Sequence, residues 1–132
     1  MTPALKKLIV GLPGMVVGLW LSMSMALQSL IILQAIDFAS GFLLAWSVGA
    51  VSSDISRKGF VKKAIALLLV AGINAFTHYH PIGFDLASMM ATWFCATELI
   101  SIAENASKAG WPLPRFLADA LAKLSEQGKK TE

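Results

Sequence analysis

Charge is what this sequence has least of. Asp, Glu, Lys and Arg make up 14% of its 132 residues and hydrophobic types 56%, against roughly a quarter and just under half in soluble domains. A soluble enzyme is disfavoured by that balance. So is a nucleic-acid-binding module, because the 11 Lys and Arg exceed the 8 Asp and Glu by only three, too few for a phosphate-binding face on so apolar a body. Cysteine is nearly absent too. Cys95 stands alone, which excludes an internal disulfide framework and a C-x-x-C redox or zinc pair, so it reads as a packing residue. No internal repeat or low-complexity segment is present, nor any glycine-rich phosphate loop, metal-spaced cluster or nucleophile with a neighbouring His and carboxylate. No catalytic group and no cofactor are expected.

What is there is long apolar runs. Residues 8–36, 38–53, 64–84 and 86–97 carry no Asp, Glu, Lys or Arg, and a bilayer is crossed by about 20 predominantly apolar residues in a helix. Residues 8–53, with Asp37 as their one charge, are too long for one span. Two helices, about 6–22 and 27–51, fit them, with a turn in Ser22-Met23-Ser24-Met25. A third helix is expected over about 60–79. Pro81 and Gly83 then mark a loop, and Asp85 caps a fourth helix at about 86–107. The expected fold is all-α: an integral membrane protein of four transmembrane helices, the first short or kinked by Gly11, Pro13, Gly14 and Gly18, plus a short amphipathic helix. That last helix, about 114–126, follows Pro112 and Pro114 and repeats Leu113, Phe116, Leu117, Ala120, Leu121 and Leu124 at helical spacing. Its basic residues suit an anionic lipid surface, with a solvated tail as the alternative. The chain therefore divides into a transmembrane domain, 1–110, and a basic tail, 111–132.

Orientation follows from the basic residues, which concentrate on the cytoplasmic side of spans. Four spans put all 11 on one side: Lys6 and Lys7; then Arg57, Lys58, Lys62 and Lys63 as a cytoplasmic loop; then Lys108, Arg115, Lys123, Lys129 and Lys130. Both termini are then cytoplasmic. Lys6-Lys7, the apolar core Leu8 to Leu21 and Ser24-Met25-Ala26 also match the layout of a cleavable secretory signal. A retained span is the expectation.

Polar residues inside the spans are the candidate functional groups, since a carboxylate at a span's centre costs about 2.5–3.5 kcal/mol on insertion scales. In helix two, Gln34, Asp37, Gly41, Ala45 and Ser52 share a stripe beside Ser40, with small residues that admit another backbone. Helix three offers Asn74 near its middle. Helix four offers Ser88, Thr92, Cys95, Glu98, Ser101 and Asn105, with Glu104 alongside. These groups either bond one another within one bundle or meet other copies and water, and a bundle this small points to a homo-oligomer among membrane lipids. Gly14 and Gly18 form a G-x-x-x-G, a candidate helix contact. Weaker signals are His78 and His80, with no third metal ligand near, and an Asn105-Ala106-Ser107 sequon on the cytoplasmic side. Trp20, Trp46 and Trp111 fit membrane interfaces, whereas Trp93 is expected to pack.

Two segments resemble a known family. Asp37-Phe38-Ala39-Ser40-Gly41, then Ser52-Ser53, Lys58-Gly59 and Lys62-Lys63, is similar to the first motif of the phage lysis and toxin-secretion holins. Glu98-Leu99-Ile100-Ser101-Ile102-Ala103-Glu104-Asn105, then Gly110-Trp111-Pro112-Leu113-Pro114, resembles the signature after that family's last span. Together they frame about residues 28–124. Where relatives often carry a Trp-Asp pair, this chain has Met25-Ala26-Leu27-Gln28. The resemblance implies a small protein that accumulates in the bacterial inner membrane, oligomerises and at a set time opens a lesion for an endolysin or toxin, which it need not touch. On that reading Asp37, Glu98, Asn74 and Gln34 satisfy one another until a large assembly turns them to water, and Met15 offers a second start for a shorter, inhibitory product. A small ion channel or transporter subunit, or an anchor acting through residues 110–132, are the alternatives from the residues alone.

Overall fold

A computed structural model describes residues 1–130, with the side chains of 54–56, 121, 124, 125, 128 and 129 left aside. Five helices follow one another: α1 (Pro3–Ser22), α2 (Met25–Ser47), α3 (Ser53–Tyr79), α4 (Leu86–Lys108) and α5 (Arg115–Lys130). The first four are long and apolar enough to cross a membrane. The chain is a multi-pass membrane protein. At 1.5 Å per residue, the 20 residues of α1 reach about 30 Å, the thickness of a bilayer's hydrocarbon core, so this helix is not short.

Local chemistry sets the boundaries. Thr2 accepts the Leu5 N–H at 3.4 Å and Pro3 occupies the first turn of α1, where its missing N–H costs nothing. Ser24 accepts the Leu27 N–H at 3.3 Å, leaving Met23 and Ser24 as the whole turn between α1 and α2. Asp85 accepts the Ser88 N–H at 2.9 Å, and its hydrogen bonds to Ser88 hold its carboxyl below the usual range. Past the ends of α2 and α4 the chain reverses at Gly49 and Gly110, whose φ values of 68° and 94° suit a residue without Cβ.

Helices α2, α3 and α4 pack together. Their core is small: Leu30, Val70 and Ala91, each no more than 2% exposed, with Leu27, Leu67, Met90, Phe94 and Cys95 against them. The buried stripes keep helical spacing, Leu30-Gln34-Asp37 on α2 and Ala87-Ala91-Glu98 on α4. Going from Leu30 towards the C-terminal ends of these two helices, the core changes from apolar to polar. Trp93 does not pack as expected: it is 48% exposed, one of many large apolar side chains turned outward to lipid. Helix α1 differs from the rest, for it buries nothing, and Trp20 alone on it is half-buried. One hydrogen bond ties its end to the bundle, from Gln28 Nε2 to the Trp20 carbonyl at 2.7 Å. Helix α5 also lies outside the core, with Phe116 76% exposed.

Ala91 sits fully buried where α4 meets α2 and α3, so extra methylenes there have no room. Ala91→Leu is expected to destabilise the bundle by about 1–3 kcal/mol, read as a lower Tm in detergent. Leu68→Ala, at a side chain 70% exposed, leaves that Tm unchanged.

Candidate functional site: a buried ion triad joining three spans

The site is built from one residue on each packed helix. Asp37 stands ten residues before Ser47, Glu98 ten before Lys108, and Lys63 ten after Ser53. Because α3 runs opposite to α2 and α4, these counts place all three side chains at one depth, about 15 Å from the helix ends. Lys63 Nζ donates to Asp37 Oδ2 at 2.8 Å and to Glu98 Oε2. A single ammonium thus bridges two carboxylates and ties α3 to both neighbours. Asp37 and Glu98 are each 9% exposed and Gln34 6%, depths at which a charge persists only if paired and hydrogen-bonded.

The other polar groups complete the arrangement. Asn105 Nδ2 donates to Asp37 Oδ1 at 3.2 Å and to Ser40 Oγ at 2.9 Å. Ser40 Oγ donates to the Asp37 carbonyl at 3.0 Å, and Gln34 Nε2 to the Lys63 carbonyl at 3.2 Å. Among the described residues no buried side-chain nitrogen or oxygen is left without a partner. Counted at formal charge, two carboxylates and one ammonium give the triad one negative charge in excess.

A cavity of about 260 Å³ reaches this cluster, lined by Asp37, Lys63, Ser101 and Asn105 and, towards the ends of α2 and α4, by Ala50, Val51 and Ser52. Its volume admits several waters, and its lining supplies their partners. Ser52 reaches it as the residue capping α3, beyond the end of α2 rather than on it. Gly41 lines it too, but a Cβ there would meet Asn105 Nδ2 at 3.5 Å, ordinary contact. The close approach is not one that glycine alone allows.

Of the expected site residues, the structure brings together Gln34, Asp37, Ser40, Glu98 and Asn105, with Ser101 and Gly41 at the cavity. Two are elsewhere. Asn74 is exposed and lies close to the end of α3, not at its middle, in a depression with Thr77, His78 and Asp85. It cannot satisfy Asp37 or Glu98. Glu104 is exposed, and the stripe on α4 also divides, since Thr92 faces outward and donates to the Ser88 carbonyl at 2.7 Å.

The main correction is Lys63, expected in a cytoplasmic loop with Arg57, Lys58 and Lys62. Helix α3 starts at Ser53 instead of near residue 60, so Lys63 lies well inside it, while Lys58 and Lys62 stay exposed. One signal pointed there, since two carboxylates within spans demand a counter-ion; helical phase does not choose between the lysines, because Lys62 lies four residues and Lys63 three before the buried Ala66. Lys130 is exposed on α5, and the side chain of Lys129 lies outside the described ones. Gly14 and Gly18 have nothing within 4 Å of where a Cβ would be. Among the described residues no three His, Cys, Asp or Glu side chains converge as metal ligands, His78 and His80 included.

Removing the cation strands both carboxylates. Lys63→Met is expected to destabilise the bundle by roughly 3–5 kcal/mol, measured by denaturation in detergent, while Lys62→Met changes nothing. Adding Asp37→Asn and Glu98→Gln to Lys63→Met recovers most of the loss, because no unpaired charge remains.

The sequence matches the bacteriophage holin family over residues 14–126. A protein of Bacillus phage phi105 named "Probable holin" is 28% identical over 107 residues, covering 80% of this chain and 79% of its own length. An uncharacterised protein of Halalkalibacterium halodurans is 28% identical over 109 residues, 79% of this chain and 81% of that one. Another, from Listeria monocytogenes, is 33% identical over 104 residues, 71% of this chain and 70% of that one. No solved structure matches it.

Proposed function

The chain belongs to the bacteriophage holin family, and we propose that it accumulates in the bacterial cytoplasmic membrane, oligomerises and at a set time opens a lesion through which an endolysin or toxin leaves the cell. The observation that carries this reading is the triad of Asp37, Lys63 and Glu98 with its uncompensated negative charge. Satisfied internally, it holds α2, α3 and α4 as a sealed bundle among lipids. Its excess charge is nevertheless costly in an apolar surrounding and gains from water. The cavity gives water a path to it from one side.

Both termini lie in the cytoplasm on this reading. Lys6, Lys7, Arg57, Lys58, Lys62 and Lys108 then all flank the spans on the inner side, as the preference of basic residues for that side requires. The cavity opens to the cytoplasm. Isolated copies keep the triad closed. As copies accumulate, a growing assembly offers an alternative in which the stripes of α2 and α4 face a shared aqueous hole, and hydration replaces the internal ion pairs. The membrane potential acts on the same balance. It is worth about 2.3 kcal/mol per elementary charge carried across 100 mV, so a net charge held part-way across responds when the potential collapses.

Controlled expression in a bacterium carrying a cytoplasmic, signal-less endolysin tests this, with membrane potential and culture turbidity followed together. Abrupt depolarisation at a reproducible time is expected, with lysis only when endolysin is present. Full accumulation in the membrane with the potential intact contradicts the reading and favours an anchor acting through residues 110–132. Graded, ion-selective conductance without release of a folded protein marks a channel instead.

A further inference from the structure

Two parts of this chain lack partners, and they match. Helix α1 buries none of its residues, and Gly11, Gly14 and Gly18 form a stripe at helical spacing with nothing within 4 Å of any Cβ position. On the bundle, α2 and α3 leave between them an apolar groove of about 390 Å³, with Ile31, Ala35 and Phe38 on one wall and Phe60, Ala64 and Leu67 on the other. Gln34 and Lys63 also line it, so the groove runs over the flank of the ion triad.

We infer that the groove between α2 and α3 receives α1 of a second copy of this chain. Depth and shape both fit. Descending from their shared turn, Gly18, Gly14 and Gly11 lie about 6, 12 and 16 Å down α1, and Ile31, Ala35 and Phe38 about 9, 15 and 20 Å down α2. The large side chains of the groove wall thus fall between and beside the glycines, where a bare backbone can approach. In lipid, helices associate through such close packing and not through hydrophobic exclusion, so a helix with a glycine face and no charge between Leu8 and Ser22 is a better occupant than acyl chains, which leave Gln34 and the Lys63 stem poorly covered.

The donor copy is a neighbour because the turn sends the chain's own α1 outward. Gln28 occupies the head of the same α2 stripe as Ile31, Ala35 and Phe38, and its bond to the Trp20 carbonyl fixes the end of α1 at the mouth of the groove while the rest of the helix stands clear. Seating α1 in the next copy gives a head-to-tail contact, which leaves one groove and one α1 free at each growth step. Such a contact extends until it closes into a ring. This deepens the assembly step of the proposed function by naming its surface.

Two differently tagged copies, both Cys95→Ser, are co-expressed, one with Gly11→Cys and the other with Ala35→Cys, and oxidised in intact membranes. A disulfide-linked heterodimer carrying both tags is expected, several-fold above the level with Leu99→Cys, an exposed position on α4, in place of Ala35→Cys. A chain bearing both Gly11→Cys and Ala35→Cys should give a ladder of linked copies. Heterodimer at only the Leu99→Cys level overturns the inference, as does a double variant that links solely within its own chain, which means that α1 folds onto its own groove. Because the readout needs no lysis, its failure beside a positive lysis result places assembly on another face, whereas a failed lysis result with strong cross-linking leaves the contact standing and removes the holin reading.

Discussion

One lysine between two carboxylates decides how these helices meet. Charge cannot stay unpaired in hydrocarbon, so Asp37 and Glu98 must be brought to a cation, and the one that reaches both from the facing helix is Lys63. That need fixes relative depth. A shift of one turn along α3 would carry Lys63 about 5 Å away from both partners, whereas the apolar contacts of Leu30, Val70 and Ala91 tolerate small slips. Asn105, Ser40 and Gln34 then complete a network in which three different helices supply the donors and acceptors. Apolar packing gives this bundle adhesion. The ion triad gives it register.

The same constraint explains the asymmetry of the molecule. Around and beyond Leu30, towards the turn before α4, the packed core is apolar, and the polar Asn74, Thr77, His78 and Asp85 line an open depression at the helix ends. Towards the opposite end lie the triad, the cavity and the basic residues. A bundle arranged this way has an apolar packed core towards one end and a cavity towards the other, and it holds its ion triad between the two. On the proposed function, sealing and opening differ by how the charge of that triad is satisfied. Helix α1 stands outside this economy of charge, free for contacts that do not disturb the triad.

Much of this was legible from the residues. Charge-free runs, the turn at Ser22 to Met25, the Asp85 cap and the breaks at Pro81, Gly83, Pro112 and Pro114 carry local signals, so the helix count and order follow from composition and spacing, whereas the end of α2 at Ser47, before Gly49, was expected near residue 51. Asp37 and Glu98 were legible because a carboxylate in an apolar run is conspicuous. Lys63 was not, because in Lys62-Lys63 one residue belongs to the exposed face and the other to the buried one, and a pair of lysines beside Arg57 and Lys58 reads as a loop. Helical spacing does not separate them, since they stand four and three residues before the buried Ala66; the ion pairs of Lys63 do. Asn74 misled for the converse reason: a polar residue in an apolar run looks internal, but it lies near a helix end where water is close. The lack of packing on α1 was not legible, because Gly14 and Gly18 at G-x-x-x-G spacing read as a helix contact, yet nothing lies within 4 Å of either Cβ position.

The most direct measurement of the central claim is the sign of the shift in lysis time when single charges of the triad are removed, at matched amounts of protein in the membrane. Glu98→Gln and Asp37→Asn each cancel the excess negative charge and should delay depolarisation, while Lys63→Met doubles that excess and should advance it. Opposite shifts tie the timing to the charge that the triad carries. Unchanged schedules, or shifts in one direction for all three, contradict it and reduce the triad to a packing element.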